Sequence, residues 1–533
     1  MKSIVVFSFL LLASLLHAQP ENTQVPGGIL FDGEPYLVVD PIQPNIITAA
    51  WMSGVITDVV VGIRTSVSTD GGHSWADQNV MPHFGKGWHS ADVSMGYSKS
   101  GILYICYIDY RQSPDSGGIY IAKSTDHGVT WAAPVQAFNS DEVLNKAAID
   151  RPWMVIDNSV PDGTIYVCTK PAPWILPSKD SPNRPYFKCS TDGGLSWSAI
   201  APLDGGNYPN GYLLAAPMAA PAVTSNGSFS VLYPSVQLLQ PARYIFERSY
   251  DNGKTFEQHI AIEKYSSNVK GDTLTKLGYK LLADPNDSNR FALIAPADTL
   301  GDWDVIVVNS TDGGRHWSKP VRVNDDTPAN GVVQDLVWGS YATNGDLVMV
   351  WRDRRNSQQT GYRVPSDIYG AISKDNGLTF GANIRLSNQS AQHIQALDVA
   401  GNDFQCSAIA GDSLCVIWGD ARNGKVQIFF AKASLETGNS SVWEVAQEDQ
   451  QMVVYPTVVK NTCTVRLSGD NHEITGQLVS ASGITVPINL VRTEGWERNN
   501  YTVSLPSEIP AGAYVLELRS AGKVFTQKIV VVR

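Results

Sequence analysis

Three stretches of this chain set an aspartate and an arginine two residues apart just behind an aromatic residue. They are Tyr107-Ile108-Asp109-Tyr110-Arg111, Trp351-Arg352-Asp353-Arg354-Arg355 and Trp418-Gly419-Asp420-Ala421-Arg422. The pairs so formed are Asp109 with Arg111, Asp353 with Arg355, and Asp420 with Arg422. A second set of charges stands beside short apolar runs: Glu34, Asp92, Asp150, Asp335 and Asp403, with Arg151 next to Asp150. Gathered in one place, such groups have defined chemistry. A guanidinium fork grips a carboxylate through two parallel hydrogen bonds. A pair of carboxyl groups flanking a glycosidic bond can hydrolyse it. Several carboxylate oxygens can hold Ca²⁺, although no loop of EF-hand type is present. The expectation is therefore no cofactor, with Ca²⁺ as the alternative. The same pairs can also tie one structural unit to the next, and their repetition favours that role.

What positions these residues is a repeat. Ser68-Thr69-Asp70-Gly71-Gly72-His73-Ser74-Trp75 has the pattern Ser-x-Asp-x-Gly-x-x-aromatic. The pattern returns at Ser124–Trp131, Ser190–Trp197, Ser249–Phe256, Ser310–Trp317 and Ser373–Phe380. Its aspartates, Asp70, Asp126, Asp192, Asp251, Asp312 and Asp375, are 56, 66, 59, 61 and 63 residues apart. A near-constant period of this size means a repeat architecture. Each copy lies between apolar runs, so it is an ordered hairpin turn. Its Ser and Asp can bond the turn's own amides, its Gly can adopt positive φ, and its aromatic ring can return to the sheet. Turns this alike read as scaffold rather than ligand sites.

These octapeptides resemble the Asp box of the BNR-repeat, sialidase-like proteins, and the resemblance covers about residues 35–448. It implies an all-β fold: a β-propeller of four-stranded blades, with the boxes between the two outer strands of each blade. Strand signals agree. Tyr36–Val39 and Ile46–Trp51 precede the first box, Val93–Tyr97 and Ile102–Tyr107 the second, and Trp153–Ile156 and Thr164–Cys168 the third. After the sixth box come Phe404–Ile409, Leu414–Trp418 and Val426–Ala431. Ser434-Leu435-Glu436-Thr437-Gly438 and Trp443 then read as a degenerate seventh box, with Glu436 lying 61 residues beyond Asp375. The count is seven blades, with six, the sialidase number, as the alternative.

In such a propeller the loops joining second and third strands and the starts of the inner strands open on the face opposite the boxes. Asp92, Asp109, Arg111, Asp150, Arg151, Asp335, Asp353, Arg355, Asp403, Asp420 and Arg422 are then ligand-binding candidates in one funnel, suited to polyols or acid sugars. The resemblance implies a glycan or glycoprotein ligand and a sialidase-like glycosidase. Sialidases, however, place an arginine ahead of the first box. Here Gly33-Glu34-Pro35-Tyr36 occupies that stretch, and the first arginine is Arg64. Three readings stay open: a glycan-recognising propeller, with or without hydrolysis, a non-catalytic adhesion or protein-binding module, and an active exo-sialidase. No Ser-His-Asp motif, His metal cluster, P-loop or dinucleotide fingerprint appears. His73, His127 and His316 lie inside boxes and read as turn surface.

Residues 1–18 read as a secretory signal: Lys2, the apolar run Ile4–Leu16, and Ala18 before Gln19. That run is too short to span a membrane, and residues 19–34 form a lead-in. Residues 449–533 break the repeat. Tyr455-Pro456, Gly483, the run Ile509–Val515 and Lys528-Ile529-Val530 resemble the type IX secretion sorting domain. That implies a small immunoglobulin-like β-sandwich, the type IX machinery as a partner, and delivery to the cell surface or medium. The net charge of −11 argues against nucleic acid, which selects basic stripes. Six cysteines are too few for a disulfide scaffold. Cys168 with Cys189, or Cys406 with Cys415, could bridge after export, or all could remain thiols.

Overall fold

In the computed structural model the chain divides into two compact units, Met1–Val445 and Ala446–Arg533. The structure describes residues 20–28, 30–55, 60–76, 79–111, 117–142, 149–160, 163–171, 184–205, 218–235, 240–266, 278–395, 397, 402–435, 452–455, 458–467, 474–480, 485–492, 500–506, 508–520 and 523–531. The apolar leader, and Glu436 and Trp443 of the seventh box, lie outside them. Among the described residues no helix is long and apolar enough to cross a membrane, and all six cysteines are free thiols.

Among the described residues the first unit forms seven four-stranded antiparallel sheets. In blades one to seven the inner strands are Asp32–Val39, Trp88–Tyr97, Ile149–Asp157, Ala220–Val223, Lys280–Ala283, Gln334–Tyr341 and Cys406–Ala410. Each packs against the inner strand on either side, and the seventh returns to the first. Sheets radiating from a closed ring of inner strands make a seven-bladed β-propeller. Because every blade is covered on both faces by neighbours, strands such as Phe291–Ala297 and Leu347–Asp353 are buried at every position. Their sequences therefore read as continuous apolar runs rather than alternating ones.

The third strands of the first six blades end on Ser68, Ser124, Ser190, Ser249, Ser310 and Ser373, the residues that open the octapeptides. All six turns therefore lie on one rim. In the third of them the Ser190 hydroxyl donates to Asp192 (2.7 Å) and accepts from the Gly194 amide (2.9 Å). Asp192 accepts from the Ser196 amide and hydroxyl (2.9 and 2.5 Å). The Ser196 hydroxyl and amide hold the Asp192 carboxyl down at about 2. The same bonds recur around Asp70, Asp126, Asp251, Asp312 and Asp375. The box also locks blade to blade. Trp317 meets Phe246 of the preceding blade edge-on at 5.4 Å, and a Cβ on Gly314 would lie 2.0 Å from the same ring.

Sequence reasoning puts the aspartate at the centre of this staple, but Asp192 is exposed and Ser190 is 1% exposed. Ser190→Ala should therefore cost about 1–3 kcal/mol, by leaving the buried Gly194 amide unpaired. Asp192→Ala should cost less, because water replaces its bonds. Urea denaturation of the two variants checks the order.

Blade seven is completed from the other end of the unit. Its outer strand is Asn22–Gln24, which pairs antiparallel with Gln427–Ser434. The reading of residues 19–34 as a lead-in is corrected on this point. Asn22–Gln24 belong to the ring, and the first inner strand opens at Asp32 rather than at Tyr36. Three residues preceding a Pro-Gly-Gly segment carry too little periodicity to be read as a strand.

The second unit is a sandwich of a four-stranded and a five-stranded sheet. Val465, Leu478, Val503, Leu516 and Ile529 from the two sheets share its core. One pairing, Val458–Val459 with the terminal strand, is parallel.

Candidate functional site

Four inner strands carry a β-bulge at the same level: between Gly33 and Tyr36, Ala91 and Val93, Asp150 and Trp153, and Asp335 and Trp338. Within each bulge one non-glycine residue takes positive φ: Glu34 (51°), Asp92 (46°), Arg151 (57°) and Leu336 (51°). A bulge re-aims the side chain it carries, and side chains with a Cβ occupy this conformation only when surrounding structure imposes it. In the adjacent blades one, two and three the re-aimed residue is charged. These three meet.

Arg151 is the hub. One terminal nitrogen, Nη1, lies 3.4 Å from Glu34 Oε1 and 3.7 Å from Asp92 Oδ1, while Nη2 pairs with Asp403 of blade seven. Its backbone amide donates to Asp92 Oδ2 at 3.3 Å. Beside it, Asp150 pairs with Lys170 at 2.5 Å. The result is a cluster of four carboxylates and two cations. Burial, reinforced by the Glu34 charge, pushes the Asp92 carboxyl up to about 6. Burial pushes Asp150 up to about 7 in spite of Lys170, whose own pKa burial lowers. Burial works against the Arg151 charge, but the Glu34, Asp92 and Asp150 carboxylates more than offset it and hold its pKa above the ordinary arginine value. Burial, with the Asp92 and Asp150 charges, also raises Tyr110 to about 12.

The candidates divide. Asp92, Asp150, Arg151 and Asp403 come together in this cluster, joined by Glu34. The Asp-x-Arg pairs do not join it. Asp353 holds Arg355 at 2.8 Å and accepts from the Trp351 indole at 2.8 Å, and Arg355 reaches on to Asp325 and Asn383. Asp420 repeats the arrangement with Arg422 at 2.7 Å and Trp418 at 2.9 Å, and Arg422 continues to Asn388 and Asn22. Both arginines therefore tie their blades to neighbouring loops, which corrects their placement among groups offered to the channel. Asp109 is held by His83 (2.9 Å), Ser90 (2.8 Å) and the Phe84 amide (2.6 Å). Arg111 stands exposed at the strand end opposite Trp88. Asp335 grips Arg352 (2.5 Å) and Arg354 (3.1 Å), and these two guanidiniums hold its carboxyl low against the effect of burial.

Lys170 and Tyr110 were not assigned from sequence. Lys170 faces Asp150 in the register in which Arg352 faces Asp335, so aligning the second-strand ends would have found it. Below the cluster the channel is closed by aromatics from four inner-strand regions. Tyr36, Trp153, Trp338 and Phe404 have ring centroids 5.0–6.2 Å apart. Lys280 Nζ lies 3.9 Å from the Trp338 ring centre and 4.8 Å from that of Trp153. Beyond this plug a cavity of about 440 Å³ continues between the inner strands. Among the described residues no group of three or more His, Cys, Asp or Glu side chains could hold a metal ion.

No family model matches the chain. It is 27% identical over 212 residues to the xyloglucanase Xgh74A of Acetivibrio thermocellus, a match covering 37% of this chain and 22% of that protein. The chain thus spans about a fifth of the length of the curated relative it matches. Among solved structures, a Dyadobacter fermentans protein of unknown function superposes with a TM-score of 0.43 at 14% identity, over 66% of this chain and 97% of that one. The Hadza microbial sialidase Hz136 gives 0.43 at 14% identity, over 70% and 74%. A Penicillium chrysogenum alpha-L-arabinanase complexed with arabinobiose gives 0.41 at 12% identity, over 78% and 99%. The propeller itself rests on the sheet topology above.

Proposed function

We infer that the protein binds a neutral, polyhydroxylated glycan at the Glu34–Asp92–Asp150–Asp403 cluster and hydrolyses it there. The observation that carries this reading is the acid excess: four carboxylates against Arg151 and Lys170. Carboxylate oxygens accept hydrogen bonds from sugar hydroxyls, whereas a ligand carboxylate such as that of sialic acid would meet like charge. The match to a xyloglucanase is in keeping with a neutral polysaccharide. Two buried carboxyls raised to about 6 and 7 supply a group that is protonated near neutral pH and can donate to a leaving oxygen. The cluster's contacts within the protein favour a second reading, in which the site binds without turnover.

The test is a binding screen with xyloglucan oligosaccharides, arabinan oligosaccharides and 3′-sialyllactose, read together with release of reducing ends. Preferential binding of sialyllactose would overturn the neutral-glycan reading, and affinity without reducing-end release would select the second. Asp92→Asn should cut neutral-glycan affinity at least about tenfold, as expected on losing a hydrogen bond to a charged group. It should also stabilise the protein at pH 8. The raised Asp92 carboxyl contributes stability that is intact below about pH 4 and lost as pH rises through about 6. Asparagine removes that loss, on the order of 3 kcal/mol for a shift of about two units. Urea denaturation at pH 5 and pH 8 measures it.

A further inference from the structure

Blade two carries an aromatic feature that the acid cluster does not use. Phe84 is 69% exposed, although its loop is firmly held. The Phe84 amide donates to Asp109, His83 pairs with the same carboxylate, and the Tyr107 hydroxyl donates to the Pro82 carbonyl at 3.0 Å. The Phe84 ring stacks on Tyr120 at 5.2 Å and stands 5.7 Å from Trp88. Trp88 is folded back so closely that a Cβ on Gly85 would lie 2.2 Å from its indole nitrogen. Phe84 and Trp88 thus set two neighbouring rings at a pinned loop. Because Asp109 takes up both His83 and the Phe84 amide, one of the sequence candidates acts here as the anchor of this loop.

The position of these rings relative to the cluster suggests an occupant. Trp88 opens the strand that carries Asp92 four residues later, so it stands about 13 Å further along the strand, towards the open face. That distance suits the second or third ring of a saccharide whose end lies at the cluster. A pyranose or furanose presents apolar C–H faces and a rim of hydroxyls, which matches flat rings beside a polar group such as Arg111, the residue opposite Trp88 in the ladder. We propose that Phe84 and Trp88 form a stacking subsite for a sugar ring two or three units from the one held by Asp92 and Arg151. The subsite rests on the glycan reading above and assigns a place to a further ring of the same glycan.

Calorimetry with two ladders, arabinose to arabinotetraose and glucose to cellotetraose, tests the proposal on wild type, Phe84→Ala, Trp88→Ala and Phe84→Tyr. In at least one ladder the wild type should bind the tetrasaccharide about tenfold more tightly than the monosaccharide. Each alanine variant should erase most of that gain and leave monosaccharide affinity unchanged, while Phe84→Tyr keeps it. Phe84 is exposed, so its loss should leave the melting temperature near the wild-type value. Equal affinity for all lengths, or an unchanged gain in folded Phe84→Ala, overturns the subsite and leaves the cluster reading standing. Absence of binding to every sugar by wild type overturns both.

Discussion

Arg151→Met will cost about 3–5 kcal/mol of stability at pH 8, because it strips the shared cation from buried Glu34 and Asp92 and from half-buried Asp403. The loss will be much smaller at pH 5. Asp92 already sits at about 6 with Arg151 present, and the Arg151 charge pulls it down, so without Arg151 that carboxyl is pushed higher still. Protonation then relieves the repulsion as pH falls, so the variant regains stability on acidification relative to wild type. Urea denaturation at the two pH values reads this directly. A loss that is the same at both would mean that Arg151 matters through packing alone. Arg151→Met and Asp92→Asn are expected to move stability in opposite directions at pH 8, as a site with more acids than cations requires. On the glycan reading proposed above, the imbalance is what the cluster offers a ligand: buried carboxylates that would be more stable neutralised.

Removing residues 20–25 will destabilise the propeller by about 5 kcal/mol. The estimate combines fully buried Val25, worth about 1.5–3 kcal/mol, with the ladder bonds to Gln427–Ser434 at about 1 kcal/mol each. Asn22 also donates to the Leu386 carbonyl (2.9 Å) and accepts from the Asn388 amide (2.7 Å), which ties the strand to blade six. The truncated protein should in addition self-associate, because Gln427–Ser434 becomes an open sheet edge. Denaturation and light scattering measure the two effects. A peptide of residues 20–28 added in trans should restore both, whereas a truncated protein of unchanged stability would show that ring closure does not depend on this strand.

The octapeptides were fully legible. Their Ser, Asp, Gly and aromatic residues interact within eight positions of chain or with the neighbouring repeat, so their chemistry is local and recurs in the sequence. The middle of each inner and second strand was legible for a similar reason: both blade faces are buried, so composition alone marks them. The ends that approach the open face were not. The strand reading begins at Tyr36, Val93 and Trp153, whereas the strands open at Asp32, Trp88 and Ile149. The omitted residues include the charged ones of the cluster, which look like loop although their strands continue the ladder.

The site itself was decided by tertiary structure. Sequence identified Asp92, Asp150, Arg151, Asp403, Asp353, Arg355, Asp420 and Arg422 as one population of acids and arginines. The fold separates them. Bulges with positive φ turn Glu34, Asp92 and Arg151 toward one another from three blades, while Arg355 and Arg422 are held by their own aspartates and by neighbouring loops. A one-residue insertion in a ladder changes where a side chain points without leaving a periodic trace. Closure of blade seven by Asn22–Gln24 is of the same kind, since it joins residues about 400 positions apart and no local pattern encodes that pairing. Composition and spacing therefore determine that this chain forms a ring of blades and which residue types surround its axis, whereas convergence across blades determines which of those charges meet.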